Sequence, residues 1–141
     1  MQYDPLKLEN QLCFPLYASA REVVKKYKPF LDKIGLTYTQ YIAMMVLWEN
    51  KSINVKSLGE CLYLDSGTLT PLLKKLEAQG LVARARSAED ERNLIVTLTD
   101  KGEALKQEAL HIPEEIGKCI NITQDDAQTL YRILYQILGN L

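Results

Sequence analysis

The segment that decides the fold spans residues 62–77 and reads Leu-Tyr-Leu-Asp-Ser-Gly-Thr-Leu-Thr-Pro-Leu-Leu-Lys-Lys-Leu-Glu. It predicts a short turn and then an amphipathic helix, because Asp65 or Ser66 can accept a hydrogen bond from a free backbone N–H of the first turn. Leucines recur at helical spacing and mark one buried stripe, which comprises Leu69, Leu72, Leu73 and Leu76. The opposite face carries short hydroxyls and then ammonium groups: Ser66, Thr68, Thr70, Lys74 and Lys75.

A helix with this polar face suits the major groove of DNA. Its first-turn side chains can reach base edges, while its backbone N–H groups and lysines meet phosphates. A surface helix on any small α domain carries a similar pattern, since hydroxyl-rich helix starts are common. The neighbouring segments therefore have to decide between the two alternatives.

Those neighbours predict a winged helix-turn-helix. Residues 55–62 form a short helix before the turn, and two short helices joined by a tight turn match the helix-turn-helix pattern. After Gly80, which ends the second helix, residues 81–86 alternate apolar or small residues with arginines, and residues 94–98 are β-rich. The polar segment 87–93 joins the two strands into a hairpin with a long tip, which is a wing.

The wing adds positive charge beside the predicted DNA-reading helix. Arg84 and Arg86 lie on its first strand, and Arg92 lies near the tip, two residues after Asp90. The Asp90–Arg92 pair can hold the tip in shape while Arg92 enters a minor groove, where the potential is most negative. An ordinary solvated hairpin carries similar charges, but a helix-turn-helix followed by a wing favours DNA binding.

Composition sets further limits. The 141 residues suffice for one domain with a core, and the net charge of −1 means that any DNA contact needs a local basic face. The polar N-terminus and the lack of a long apolar run predict a cytoplasmic protein without a membrane partner. Three widely spaced cysteines, Cys13, Cys61 and Cys119, predict free thiols and neither a metal site nor a cofactor. We expect Cys61, spaced with Leu58 and Leu62, to lie in the core.

The N-terminal segment predicts two helices. The first starts close to Cys13 or kinks there, because Pro15 is tolerated best in a first turn. Thr37 or Thr39 can cap the second, whose almost wholly apolar interior, residues 41–48, indicates a central core helix.

The C-terminal segment predicts helices that begin after Thr99, near Pro113 and after Thr123. The last of them carries an apolar stripe of Leu130, Ile133, Leu134, Ile137, Leu138 and Leu141. A stripe this apolar outside the winged core needs a partner, for which the N-terminal helix of the same or a second chain is suited.

The predicted fold class is mainly α with a small β-hairpin: a winged helix-turn-helix flanked by N- and C-terminal dimerisation helices. We predict one domain over residues 1–141, with the winged region at about 36–110 and dimerisation helices at about 6–34 and 111–141. A symmetric homodimer would place two reading helices in successive major grooves of an inverted repeat, ~34 Å apart.

This order of elements resembles the MarR family. Over roughly residues 7–110 the chain is similar to one branch of it, the organic hydroperoxide resistance repressors. The resemblance lies in the specific block Asn10-Gln11-Leu12-Cys13-Phe14, in residues 62–74 and in the widely shared wing motif Asp90-Glu91-Arg92. It implies a homodimeric, non-enzymatic repressor of double-stranded operator DNA that releases the operator when an organic hydroperoxide oxidises Cys13.

The resemblance also implies roles for individual residues. Cys13 matches the sensing cysteine, Tyr27 and Tyr38 match tyrosines that hydrogen-bond its thiol from the other subunit, and Tyr17 matches a ring lining the pocket. Cys119 lies where some members carry a cysteine that forms an inter-subunit disulfide with the sensor, whereas others use a small external thiol. The pocket walls would comprise Leu12, Phe14, Leu16 and Met44. Pro15 departs from the pattern, which has an ordinary helix former there.

Other interpretations stay open on the residues alone. Cys13 also fits an inert buried side chain, and Tyr27 and Tyr38 also fit core packing. A MarR-type regulator that answers a small phenolic ligand, or a broader thiol-based regulator of virulence or resistance, shares much of the sensing block. A thiol peroxidase would use Cys13 catalytically, and a winged-helix protein-interaction module would show no salt-dependent operator binding.

Overall fold

The computed structural model describes residues 3–139, in which helices surround one small antiparallel sheet. The helices, which follow a short 3-10 turn at Leu8–Asn10, are α1 (Cys13–Asp32), α2 (Tyr38–Asn50), α3 (Val55–Leu62), α4 (Ser66–Ala78), α5 (Asp100–Ala109), α6 (Ile112–Cys119) and α7 (Gln124–Gly139). The strands are β1 (Ser52–Asn54), β2 (Val82–Arg86) and β3 (Leu94–Leu98), in the sheet order β1-β3-β2. The predicted fold class, a mainly helical winged helix-turn-helix, is confirmed.

Helix starts follow the capping residues of the sequence. Thr37 caps α2 in a reciprocal box, in which its hydroxyl accepts the Gln40 N–H at 3.3 Å and the Gln40 side chain accepts the Thr37 N–H at 2.9 Å. Asp65 caps α4 by accepting the Thr68 N–H at 2.7 Å. Thr99 caps α5 in the same way. Local chemistry therefore sets where these helices begin.

Helix α1 begins at Cys13, as the position of Pro15 in its first turn predicts. Pro29 does not end the helix, which continues to Asp32. Pro113 lies in the first turn of α6, where its missing N–H leaves no intrahelical bond unmade.

Strand β1 is not among the elements that the sequence predicts. In it, Ile53 lies opposite Val96 of the central strand β3. A three-residue strand carries too little alternation to reveal itself, and its partner is distant in the chain. Asn54 ends this strand and caps α3, because its side chain accepts the Ser57 N–H at 2.9 Å.

The register of β2 and β3 sets the two faces of the wing. Alternate residues of a strand point to opposite faces. Val82, which is buried, therefore shares a face with Arg84 and Arg86, while Ala83 and Ala85 lie on the exposed face. The two arginines thus start on the side of the wing that faces the helices.

The core lies where α4 packs on α2, α3 and β2. The predicted leucine stripe of α4 is buried, with Leu69, Leu73 and Leu76 at 0–1% exposure. Each leucine removed from water to this extent contributes about 1.5–3 kcal/mol. Trp48 joins α2 to α5, since its indole N–H donates to the Gly102 carbonyl at 2.9 Å.

The prediction for Cys61 is wrong, because its side chain is exposed. The inward face of α3 carries Val55, Leu58, Gly59 and Leu62, which follow helical spacing. Cys61 directly precedes Leu62 and lies outside this inward face, so its side chain projects away from the core.

The terminal helix forms as predicted, but it lies apart from the core. None of its residues, 124–139, is buried. Within a single chain, Leu130, Ile133 and Ile137 of the predicted apolar stripe are exposed, whereas Leu134 and Leu138 are half-buried. The last member of the stripe, Leu141, lies outside the described residues. Separately, no helix within residues 3–139 combines the length and apolarity needed to cross a membrane.

We expect Gly102→Ala to lower the free energy of unfolding by about 1–3 kcal/mol, the usual range for overpacking. A Cβ at this position would lie 2.2 Å from the Leu81 carbonyl oxygen and 2.7 Å from the Leu98 side chain. Urea denaturation measures the change. Gly117→Ala in α6 is the matched control, since its Cβ meets nothing within 4 Å and should raise stability by about 0.4–1 kcal/mol. Equal stability of Gly102→Ala and the parent would contradict the close packing of α5 on Leu81.

Candidate DNA-binding surface and cysteine site

Helix α4 presents the polar face that the sequence predicts. Its leucines anchor one side in the core, so its other side faces water along the whole helix. The predicted DNA-contacting residues on this helix are all exposed: Ser66, Thr68, Thr70, Lys74 and Lys75. A rigid, half-exposed helix with hydroxyls at its N-terminus and cations farther along can enter a major groove.

Hydrogen bonds order the first turn of this helix. The Thr68 N–H bond and a further hydroxyl bond from Thr68 hold the pKa of the Asp65 carboxyl below its ordinary value, so the cap is ionised at neutral pH. The Thr70 hydroxyl donates to the Ser66 carbonyl at 2.8 Å, which leaves its lone pairs to accept from outside.

The wing tip carries the pair that the sequence predicts. Asp90 accepts from the Arg92 backbone N–H at 3.0 Å and from its guanidinium at 3.4 Å. The Arg92 side chain remains 92% exposed. An exposed ion pair adds little stability, so its effect here is to orient Arg92 outward from the tip.

Arg84 requires a correction, because its guanidinium is bound within the molecule. It donates to one Glu77 carboxylate oxygen from two nitrogens, at 3.3 and 3.1 Å, and its side chain is 18% exposed. We predicted Arg84 as a phosphate or minor-groove contact, but the packing of β2 against α4 brings its guanidinium to Glu77. Arg86, which is exposed, donates to the Glu91 carbonyl at 3.2 Å and so supports the loop of the wing.

Cys13 is the first residue of α1, and its side chain is exposed. Within one chain, Cys13 is therefore not part of the core. No side chain caps this helix at Leu12, and its first turn carries no acidic residue. Apolar groups surround the position in sequence, with Leu12 82% exposed and Phe14 43% exposed. The thiol thus lies at the positive end of a helix dipole, next to uncovered apolar side chains.

Tyr17 lies one helical turn beyond Cys13 on the same face of α1. Its hydroxyl accepts from Arg21 at 3.3 Å, and the same guanidinium lies 5.5 Å from the ring centroid. The ring is 58% exposed. This face of α1 therefore carries a thiol, a phenol and a cation in succession, all open to a partner.

Tyr27 and Tyr38 meet in one aromatic cluster. Their ring centroids are 4.9 Å apart, and Tyr41 lies 5.8 Å from Tyr27 and 6.4 Å from Tyr38. Burial raises the pKa of all three phenols above the ordinary value. All three are therefore neutral hydrogen-bond donors at physiological pH. The sequence analysis did not assign Tyr41 to the site, although its spacing from Tyr38 places both on one face of α2.

Met44 requires a second correction. We predicted it as a wall of a peroxide pocket, but its side chain is 0% exposed and belongs to the core. The other predicted wall residues, Leu12, Phe14 and Leu16, are exposed. A pocket made from them needs a second surface to close it.

The exposed apolar residues concentrate at the two ends of the chain. One group precedes or lies on α1, and the other lies on α7 and the loop before it: Leu6, Leu8, Leu12, Tyr17, Ile122, Leu130, Tyr131, Ile133 and Tyr135. Cys119 ends α6 directly before that loop and is exposed. Within residues 3–139, no cluster of three or more histidine, cysteine or acidic side chains can hold a metal ion.

An exposed recognition helix followed by a wing defines the chain as a winged-helix transcriptional regulator. Residues 25–109 match the family model described as "Transcriptional regulator SarA/Rot". The chain belongs to this MarR-like family of transcriptional regulators. The resemblance found in the sequence is thereby confirmed.

Relatives named as transcriptional regulators agree with this assignment. The organic hydroperoxide resistance transcriptional regulator of Bacillus subtilis (strain 168) is 51% identical over 140 residues, which cover 99% of this chain and 95% of the relative. The structure is also similar to AbfR of Staphylococcus epidermidis. Reduced AbfR bound to DNA gives a TM-score of 0.78 at 39% identity, covering 94% of this chain and 92% of the other. Disulfide-formed AbfR gives 0.65 at 38% identity, covering 94% and 90%.

We expect the tyrosine cluster to make stability fall at high pH. A raised pKa means that the folded protein keeps phenol protons that the unfolded chain releases, so this contribution is complete below the ordinary tyrosine pKa and is lost as pH rises through the folded value. Tyr27→Phe should lose less stability than the parent between pH 9 and pH 11, as measured by urea denaturation at each pH. Identical slopes for the parent and Tyr27→Phe would show that Tyr27 ionises freely.

Proposed function

We propose that this protein is a homodimeric transcriptional repressor that binds operator DNA when reduced and releases it when an organic hydroperoxide oxidises Cys13. The observation that carries the proposal is an exposed cysteine at the start of α1 in a chain 51% identical to an organic hydroperoxide resistance regulator. Because its partner is operator DNA, we place the protein in the cytoplasm.

DNA recognition is assigned to α4 and the tip of the wing. The hydroxyls of Ser66, Thr68 and Thr70 read base edges, since they are exposed on the first turns of a helix whose opposite face is buried in the core. Lys74 and Lys75 bind phosphates farther along the same face. Arg92 enters the minor groove, with Asp90 holding it outward. These few cations act locally, since the chain as a whole carries a net charge of −1.

Dimerisation is assigned to the terminal segments, residues 6–34 and 111–141, and DNA binding to residues 36–110. The uncovered apolar side chains of α1 and α7 support this division, because an isolated chain would expose them all to water. A twofold axis through these helices sets the spacing of the two α4 helices. That spacing is what an inverted repeat would recognise.

The sensing site is assigned to two chains. Cys13 and Tyr27 are fourteen residues apart on one continuous helix, which separates them by roughly 21 Å at 1.5 Å per residue. The thiol and the tyrosine cluster of one chain therefore cannot meet. A partner chain packed against α1 can supply Tyr27 and Tyr38 to Cys13, while Tyr17 comes from the same helix as the thiol.

The proposed chemistry uses Cys13 as a thiolate, because the thiolate is the form of cysteine that acts as a nucleophile. The sulfur attacks one peroxide oxygen, the S–O bond forms as the O–O bond breaks, and the leaving alkoxide takes a proton to become an alcohol. The sulfur is oxidised by two electrons to a sulfenic acid. Phenol protons from the tyrosine cluster stabilise the departing charge, and the apolar side chains of Leu12, Phe14 and Leu16 favour alkyl peroxides.

Oxidation changes DNA affinity only if it favours one dimer geometry over another. The cysteine and tyrosines lie on α1 and α2, and α2 packs directly against α4. A shift at the subunit boundary therefore moves the recognition helix as a unit with its core. This supplies the differential effect that release requires.

We expect Cys13→Ser to bind operator DNA as the parent does and to remain bound after cumene hydroperoxide treatment, because the serine hydroxyl cannot form a sulfenic acid. A DNA-shift assay beside mass spectrometry of residue 13 measures both steps. Hydrogen peroxide should oxidise Cys13 more slowly than cumene hydroperoxide does.

Two results would contradict this proposal. Release of Cys13→Ser by peroxide would place the sensor elsewhere, and failure of the reduced parent to bind any operator would remove the repressor function. We propose that the protein is not an enzyme. Sustained turnover of peroxide by the parent with a thiol reductant would contradict this and support a thiol peroxidase.

We expect peroxide to cross-link the parent dimer through Cys13 and Cys119 of the second chain, with the thiol of Cys119 displacing water from the sulfenic acid. Both side chains are exposed on the proposed dimer segments, and a relative, AbfR, has a solved disulfide form. Non-reducing gels should lose the cross-linked band in Cys119→Ser and keep it in the matched control Cys61→Ser. A band that survives in Cys119→Ser would contradict the pairing.

A further inference from the structure

Helix α4 and strand β2 are joined by three hydrogen bonds to a single carboxylate. One Glu77 oxygen accepts from the Arg84 backbone N–H at 3.1 Å, and the other accepts from Nε and Nη2 of the Arg84 guanidinium at 3.3 and 3.1 Å. The Arg84 side chain is 18% exposed and that of Glu77 is 40% exposed. The planar fork of arginine matches a carboxylate in a way that lysine does not.

A second polar link ties the other side of the wing to the helix-turn-helix. The Asn54 side chain donates to the Asn93 side chain at 2.6 Å while it caps α3. Asn93 also closes the loop of the wing, since its N–H donates to the Asp90 carbonyl at 2.9 Å and its carbonyl accepts from the Ser87 N–H at 2.7 Å. The wing is thus held to α4 on one strand and to α3 on the other.

We propose that Glu77 and Arg84 form a clamp that aims the wing relative to the recognition helix, so that Arg84 is a positioning residue and not a DNA contact. The proposal deepens the DNA-binding function proposed above and rests on it. Nothing in the family assignment requires it, and it replaces the role that the sequence suggested for Arg84.

Geometry explains why such a clamp matters for Arg92. The wing tip lies up to roughly 20 Å from Arg84, at about 3.3 Å per strand residue. A tilt of roughly 10° at the clamp would displace the tip by about 3 Å, which exceeds the tolerance of a hydrogen bond. Within the sheet, β2 is an edge strand paired with β3, so its contacts to α4 contribute to setting that tilt.

The clamp and a direct phosphate contact predict opposite signs for one substitution. Glu77→Gln removes a negative charge beside DNA. If Arg84 bound phosphate, this change would release the guanidinium and tighten binding. If the pair is a clamp, the neutral amide holds the guanidinium less firmly than the carboxylate does. The wing is then no longer fixed in its orientation relative to α4, and operator binding weakens.

The experiment measures the affinity of the full-length protein for operator DNA by fluorescence anisotropy over a range of salt concentrations. We expect Glu77→Gln and Arg84→Gln each to weaken binding by roughly tenfold, the scale of one lost specific contact. The double variant should bind no more weakly than either single variant. Both single variants should lower the salt slope by the same amount as Arg92→Ala, and Arg92→Ala should cost nothing further in the Glu77→Gln background.

Matched variants distinguish an effect on the orientation of the wing from an effect of net charge or of unfolding. Glu108→Gln changes net charge equally at an exposed position of α5, outside α4, the wing and the dimerisation segments, so it should leave operator affinity within about twofold of the parent. Arg84→Lys keeps the charge but loses the fork, so it should bind as weakly as Arg84→Gln. Urea denaturation confirms that each variant is folded at the assay temperature.

Three outcomes would overturn the clamp: tighter or unchanged binding by Glu77→Gln, full affinity in Arg84→Lys, or an undiminished effect of Arg92→Ala in the Glu77→Gln background. Backbone amide order parameters of residues 84–92, measured without DNA, test it independently of operator binding. They should fall in Glu77→Gln and stay unchanged in Glu108→Gln, and equal values in all three proteins would also overturn it. Failure of the parent to bind operator would refute the proposed function while leaving this second measurement decisive for the clamp.

Discussion

The buried leucine stripe of α4 is the constraint on which the rest of the structure depends. Leu69, Leu73 and Leu76 are almost fully removed from water, and they lock the helix against α2, α3 and β2. Because one side of α4 is committed to the core, its hydroxyls and lysines face outward in a fixed orientation. The same packing brings Glu77 beside β2 and so brings the wing into register with the helix. Hydrophobic burial thereby orients polar groups that contribute little to stability themselves.

The terminal helices differ from the core because many of their apolar side chains are exposed to water. This exposure favours association with a second chain far more than it favours an isolated fold. The proposed sensor lies in this region of exposed apolar side chains, while the proposed DNA-reading groups lie on a helix anchored in the core. In the proposed mechanism, a chemical change between the terminal helices of two chains shifts each core as a rigid body. The redox event then alters DNA affinity without distorting the recognition helix.

Local signals predicted much of this protein. The caps Thr37, Asp65 and Thr99 act over three or four residues, so their effect on helix starts is visible without a fold. The winged order of elements and the exposed face of α4 followed from periodicity. The errors have one common cause, which is that side-chain environment depends on distant elements. β1 exists only because β3 pairs with it, and Met44, Cys61 and Arg84 took environments that their neighbours in sequence do not reveal.

By itself, the sequence determined the helical periods, the caps, the glycine after α4 and the family to which the chain belongs, since each of these is written in short-range spacing. Only the tertiary structure decided which arginine is exposed and which binds Glu77, because strand parity alone does not say which side of a hairpin meets the helices. It also decided that Tyr41 joins Tyr27 and Tyr38, and that Cys13 is separated from all three by the length of α1. Contacts between elements set these outcomes, and such contacts arise only when the chain closes on itself.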